Sequence, residues 1–110
     1  MPSLASMKCK ELPTGTPALG RARIDALLKE VPGWSYDGKV ITKTYSFKNY
    51  YETMAFVNAV AWVVHREDHH PDMSVGYNRC RVDFSTHSIG GISENDFICA
   101  AKIEALTAFP

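Results

Sequence analysis

The chain has no excess of either charge: among 110 residues, twelve Lys and Arg balance twelve Asp and Glu. A protein that tracks a phosphate backbone needs a basic face, so no direct nucleic-acid partner is expected. Cysteine is scarce as well. Cys9, Cys80 and Cys99 are an odd number and widely separated, without the paired spacing of a zinc site or a disulfide framework, which fits a reducing cytoplasm. No run approaches the roughly 20 apolar residues that a bilayer demands, and Met1 to Ala18 holds no apolar core of signal-peptide length. A soluble cytoplasmic protein with no membrane partner is the expectation.

What is present is one core's worth of apolar residues, 45% of the chain, enough for a single domain and too little for two. Pro2, Pro13, Gly15 and Pro17 among small polar residues make 1–18 a flexible N-terminal tail, and 19–110 the domain. Ile24, Leu27, Leu28 and Val31 fall at i, i+3, i+4 and i+7, which predicts a helix over 19–31 that stops at Pro32-Gly33. Asp37-Gly38, flanked by Trp34 to Tyr36 and by alternating Ile41, Tyr45 and Phe47, predicts a β-hairpin. A dense apolar helix follows between Asn49 and Asp68. Met73, Val75 and Tyr77, then Cys80, Val82, Phe84 and Thr86, alternate with polar residues as a second hairpin turning near Asn78. Ser93 and Asp96 read as the capping box of a last helix carrying Cys99, Ile103 and Leu106. The order helix-β-β-helix-β-β-helix predicts an α+β fold, a four-stranded antiparallel sheet from two hairpins with three helices packed on one face.

The 49–68 helix has more apolar surface than one sheet can cover. Tyr50, Met54, Val57, Ala61 and Val64 form the stripe expected to face the sheet, and Phe56, Ala59, Val60 and Val63 lie on adjoining or opposite faces. A second copy of the chain is the expected cover, giving a homo-oligomer through this helix; helix one is the alternative cover within a monomer.

Histidine can give or take a proton near neutrality. His69 and His70 stand before Pro71 at the end of the long helix, and His87 ends the Ser85-Thr86-His87 strand. Proline disfavours the α conformation in the residue before it, so His70 should be extended while His69 stays on the last helical turn. His87 shares the polar set of its strand with Arg79, Arg81, Asp83 and Ser85. Plainer roles exist for several of these residues: His69 against the helix dipole, Asp96 as a cap, Tyr77 in hairpin packing, Gly90 and Gly91 in a turn. A metal reading starts from His65 and His69, four apart on one helix, with His87 as a third ligand. Arg66 stands where a zinc hydrolase would carry its Glu, so no metal is expected.

Glu67-Asp68-His69-His70-Pro71, Tyr77, Ser85-Thr86-His87, Gly91 and Ser93-Glu94-Asn95-Asp96 together resemble the pterin-4a-carbinolamine dehydratase family, over about Ile24 to Leu106. The resemblance implies a lyase that dehydrates 4a-hydroxytetrahydropterin to quinonoid dihydropterin, recycling pterin after an aromatic amino acid hydroxylase. The pterin is then substrate, with no separate cofactor, and the assembly a homodimer or homotetramer through the 49–68 helix and sheet edges. Carried over by motif, His69, His70 and His87 are catalytic, while Asp96, Pro71, Tyr77, Asp68, Ser85 and Thr86 bind or orient. Within that set, His69 and His87 are the expected proton-transfer pair and His70 a positioning residue. Two departures stand out: many relatives have an acidic residue where this chain has His65, and some have Trp at Met73. The family also includes dimerisation cofactors of a homeodomain transcription factor, a non-catalytic alternative.

Overall fold

The structure is a computed structural model and describes residues 3–106. The Asp37-Gly38 reversal forms as the residue types require: Gly38 takes φ +100°, and one Asp37 carboxylate oxygen accepts the amides of Lys39 and Val40, both at 2.9 Å. It joins β1 (Ser35–Tyr36) to β2 (Ile41–Ser46), and the second hairpin joins β3 (Asp72–Val75) to β4 (Arg79–Phe84). The four strands pair antiparallel in the order β1-β2-β4-β3. Register places Ile41 opposite Phe84 and Tyr45 opposite Cys80. Those four residues and Val82 are buried, whereas Thr44, Arg79 and Arg81 on the other face are exposed.

Three helices contribute to the core on the apolar side: α1 (Arg21–Leu28), α2 (Tyr50–Glu67) and α3 (Glu94–Leu106). The α+β architecture expected from the residue pattern is the one observed. Helix α1 is shorter than 19–31, ending at Leu28 in a turn that still buries Val31. Asn49 caps α2, its side chain accepting the Glu52 amide at 2.9 Å.

The inward stripe of α2 is Thr53, Phe56, Val60 and Val64, so the expected stripe of Tyr50, Met54, Val57, Ala61 and Val64 is corrected by part of a turn. Apolar residues surround this helix, and hydropathy alone does not choose among them. Packing turns Phe56 onto Tyr45 and Phe47, with ring centroids at 4.6 and 5.1 Å. Tyr51 and Trp62 are left 83% and 67% exposed.

Part of the N-terminal segment is placed against the domain. Leu4–Ser6 form a 3-10 turn with Leu4 buried, and the Lys102 ammonium donates to the Ala5 carbonyl at 2.8 Å. Past Phe84, the chain leaves β4 earlier than expected. Thr86 pairs only with Gly91, and His87–Ile89 is a 3-10 turn rather than a strand end. Among the described residues, no helix is long and apolar enough to cross a membrane.

Candidate active site

The site begins where α2 stops. Asp68 takes the left-handed conformation, φ 52°, its amide donating to the His65 carbonyl at 3.2 Å while the His69 amide donates to that of Val64 at 3.3 Å. This is the paired closure of a Schellman motif, made with Asp where Gly is usual. His69 therefore lies beyond the helix, not on its last turn as expected, and the chain has already turned towards the sheet.

There the His69 ring lies parallel to Phe84, at 5.8 Å between centroids and 8° between planes. Its Nε2 is 2.6 Å from Oδ1 of Asp96, a residue with no exposure, in the first turn of α3. The other carboxylate oxygen accepts the Ser93 amide and the Thr86 hydroxyl, both at 2.9 Å. Thr86 has one hydroxyl proton and gives it to Asp96, so the 2.6 Å contact between the two hydroxyls is Ser93 donating to Thr86. The expected capping box is thus half made. Asp96 reaches back to the Ser93 amide, but the Ser93 hydroxyl is diverted to Thr86.

With Asp96 accepting, Nε2 carries a proton, so in the neutral ring it is Nδ1 that holds the lone pair. Among the described residues Nδ1 has no hydrogen-bond partner, and it is not a buried unsatisfied atom, so it meets solvent. His69 forms part of the wall of a cleft of about 550 Å³. The other walls are Cys9 to Leu12, Glu67 and Asp68 at the end of α2, Thr86, Ser88 and Asn95. Buried Asn95 and half-buried Glu67 hold the N-terminal wall. The Asn95 side chain accepts the Lys10 amide at 2.9 Å and donates to its carbonyl at 2.7 Å, while Glu67 accepts the Cys9 amide at 2.8 Å. That Cys9 amide, with help from Lys102 and Lys8, holds the Glu67 carboxyl below the usual carboxylate range.

His87 is exposed and lines a neighbouring cavity of about 360 Å³ with Tyr36, Lys39, Ser85 and Gly91, and Thr86 is a wall of both cavities. The three imidazoles therefore do not share one cavity in the single chain. His70 is exposed too, with only a 3.5 Å approach of Nδ1 to the Pro71 carbonyl, while Pro71 is buried. Tyr77 stands apart from His69: its carbonyl accepts the hydroxyl of Thr53, fourteen helical positions before the end of α2 at Glu67, a distance of about 21 Å along the axis. Asp68 and Thr86 are in the His69 cleft, and Ser85 is in the His87 cavity. Among the described residues no three His, Cys, Asp or Glu side chains gather as a metal site.

The model of the family described as pterin 4 alpha carbinolamine dehydratase matches residues 17–106. The chain belongs to that dehydratase family. A relative from Nitrosospira multiformis, named "Putative pterin-4-alpha-carbinolamine dehydratase", is 60% identical over 103 residues, 94% of this chain and 91% of its own. One of the same name from Nitrosomonas eutropha is 61% identical over 104 residues, 94% and 92% of the two chains. The crystal structure of a transcriptional coactivator/pterin dehydratase from Brucella melitensis superposes with TM-score 0.77 at 32% identity, covering 81% of this chain and 97% of that one. A pterin dehydratase-like RuBisCO assembly factor of the alpha-carboxysome, at 23% identity and TM-score 0.60 over 71% and 93% of the chains, shares the fold.

Several residues of this dehydratase-family cleft carry no role in the sequence reading: Phe84 as the shelf under His69, Asn95 and Glu67 as anchors, and Cys9 to Leu12 as a wall. Phe84 is legible only as a core position of its strand. No periodicity or motif marks Cys9 to Leu12, which precede the family match.

Proposed function

We propose that this chain dehydrates 4a-hydroxytetrahydropterin to quinonoid dihydropterin and water. Family membership supports the reaction class, and the observation that carries the mechanism is His69, bound to buried Asp96 through Nε2 while the residue lines the cleft and its Nδ1 is not buried. The elimination removes the proton on N5, forms the C4a=N5 double bond and expels the C4a hydroxyl, which needs a proton to leave as water. His69 Nδ1 accepts or returns one of these protons, and the Asp96 carboxylate stabilises the imidazolium that forms. His87 supplies the second imidazole across Thr86, the wall common to both cavities, and His70 positions the ring system. The natural setting is pterin recycling beside an aromatic amino acid hydroxylase in the cytoplasm, in a homodimer or homotetramer that covers the outer face of α2.

The test is to generate the carbinolamine freshly, add the protein with and without a chelator, and follow quinonoid product by absorbance. Acceleration that survives chelation is expected; a rate equal to buffer refutes the proposal. A second reading is a binding module without catalysis, favoured by exposed Tyr51 and Trp62 on one helix. His69→Ala separates the two, since a binding module tolerates that change and a dehydratase does not.

A further inference from the structure

Cys9 and Cys99, 90 positions apart in the sequence, bring their sulfurs to 3.5 Å. Cys99 has no exposure and sits on α3, whereas Cys9 is half-buried in the cleft wall. Each sulfur also lies near a carbonyl acceptor, Cys9 at 3.6 Å from Asn95 O and Cys99 at 3.7 Å from His69 O. The backbone beside Cys9 is held in register by Glu67 and Asn95. An S–S bond needs about 2.05 Å, so closure asks the two sulfurs to approach by about 1.5 Å more. Cys80 takes no part, being buried in β4 opposite Tyr45.

We propose that Cys9 and Cys99 form a thiol-oxidation site, at which a small disulfide of the glutathione type installs a reversible intrachain bond that staples residues 9–12 to α3 beside His69. The partly exposed Cys9 reacts first: its thiolate attacks the reagent's disulfide, forming a mixed disulfide and releasing one glutathione. Cys99 then loses its proton and attacks the Cys9 sulfur, expelling the second glutathione. Two electrons pass to the reagent, and two protein protons leave with its two thiols. Contact with Cys9, followed by burial, pushes the Cys99 thiol far above its usual range and keeps it protonated at rest. The partly exposed Cys9 therefore meets the reagent first, and Cys99, 3.5 Å away, is the thiol placed to resolve the mixed disulfide. Once the bond forms, the hydrogen that Cys99 directs at the His69 carbonyl is gone and the cleft wall is tied covalently. The site stands on the sulfur geometry and is independent of the pterin chemistry.

The fully reduced chain, freed of reductant, is incubated with glutathione disulfide, denatured, alkylated with a maleimide and weighed intact. The expected product has lost two hydrogens and takes one maleimide, at Cys80, where the reduced chain with its three cysteines takes three. Dithiothreitol restores all three. Cys80→Ser still closes the bond, and Cys9→Ser closes none. Three adducts after oxidation, a glutathione adduct on Cys9 that does not resolve, or a bond between two chains would each overturn the assignment.

Discussion

The imidazole of His69 meets Asp96 at 2.6 Å, and that carboxylate has no path to water. All three of its near partners lie outside α3 itself: His69 after α2, Thr86 after β4, and Ser93 just before the helix start. Asp96→Asn preserves the shape and removes the charge, leaving an amide that can hold Nε2 in the wrong tautomer. A fall in kcat of about 100-fold or more is expected, with a modest stability loss. The dehydration rate and a urea midpoint on the same preparation check both halves.

The motif that exposes this pair is visible before folding, because Pro71 and the Ser93 to Asp96 spacing each carry a local physical meaning. The sheet is equally legible: Asp37-Gly38 requires a turn, and alternation from Cys80 to Phe84 requires one buried face. What stays hidden is whatever depends on distant partners. The rotation of α2 is decided by Phe56 packing on Tyr45 and Phe47, and the meeting of Cys9 with Cys99 spans most of the chain. The placement of His69 beyond α2 depends on Asp68 adopting a conformation that glycine usually takes. His87 belonging to a second cavity follows from β4 ending at Phe84, which alternation up to Thr86 conceals.

Phe84 should couple stability to catalysis. It has no exposure and lies flat against the His69 ring. Phe84→Leu removes the flat shelf and opens space, at a cost of about 1–3 kcal/mol. The imidazole is then free to tilt away from Asp96, so kcat falls along with the denaturation midpoint. A variant that loses stability but keeps kcat would assign Phe84 to packing alone.

Glu67 sets an acid limb on stability. Its folded carboxyl titrates below the ordinary value of 4.5, first because it accepts the Cys9 amide. A depressed folded pKa means that the unfolded chain binds the proton more readily. The stabilisation is therefore complete above the unfolded value and is lost as pH falls through the folded one. Glu67→Gln keeps an acceptor for Cys9 but lacks the charge, and should be less stable by about 1 kcal/mol at neutral pH. The two proteins should converge in urea titrations run from about pH 7 down to about pH 3.

Gly91 tests the contact that closes the His87 cavity. A Cβ at this position would lie 2.7 Å from that of Ala18, an atom fixed to its backbone that cannot rotate aside. Gly91→Ala should then separate the 18–19 segment from the loop, stretching the hydrogen bond from the Leu19 amide to the Ile92 carbonyl, 2.9 Å in the native chain. The expected loss is about 1–3 kcal/mol. Faster hydrogen exchange at Leu19 would locate the damage.

Trp62 and Tyr51 carry the last expectation, that α2 is covered by another copy of the chain. Both side chains are more than half exposed in the single chain, a costly arrangement for large aromatic groups unless something packs on them. Trp62→Glu would place a charge in such an interface and needs no rearrangement inside the monomer. Sedimentation equilibrium should show the wild type as a dimer or tetramer and the variant shifted towards monomer, with an unchanged far-UV spectrum. If both sediment as monomers, α2 does not mediate self-association.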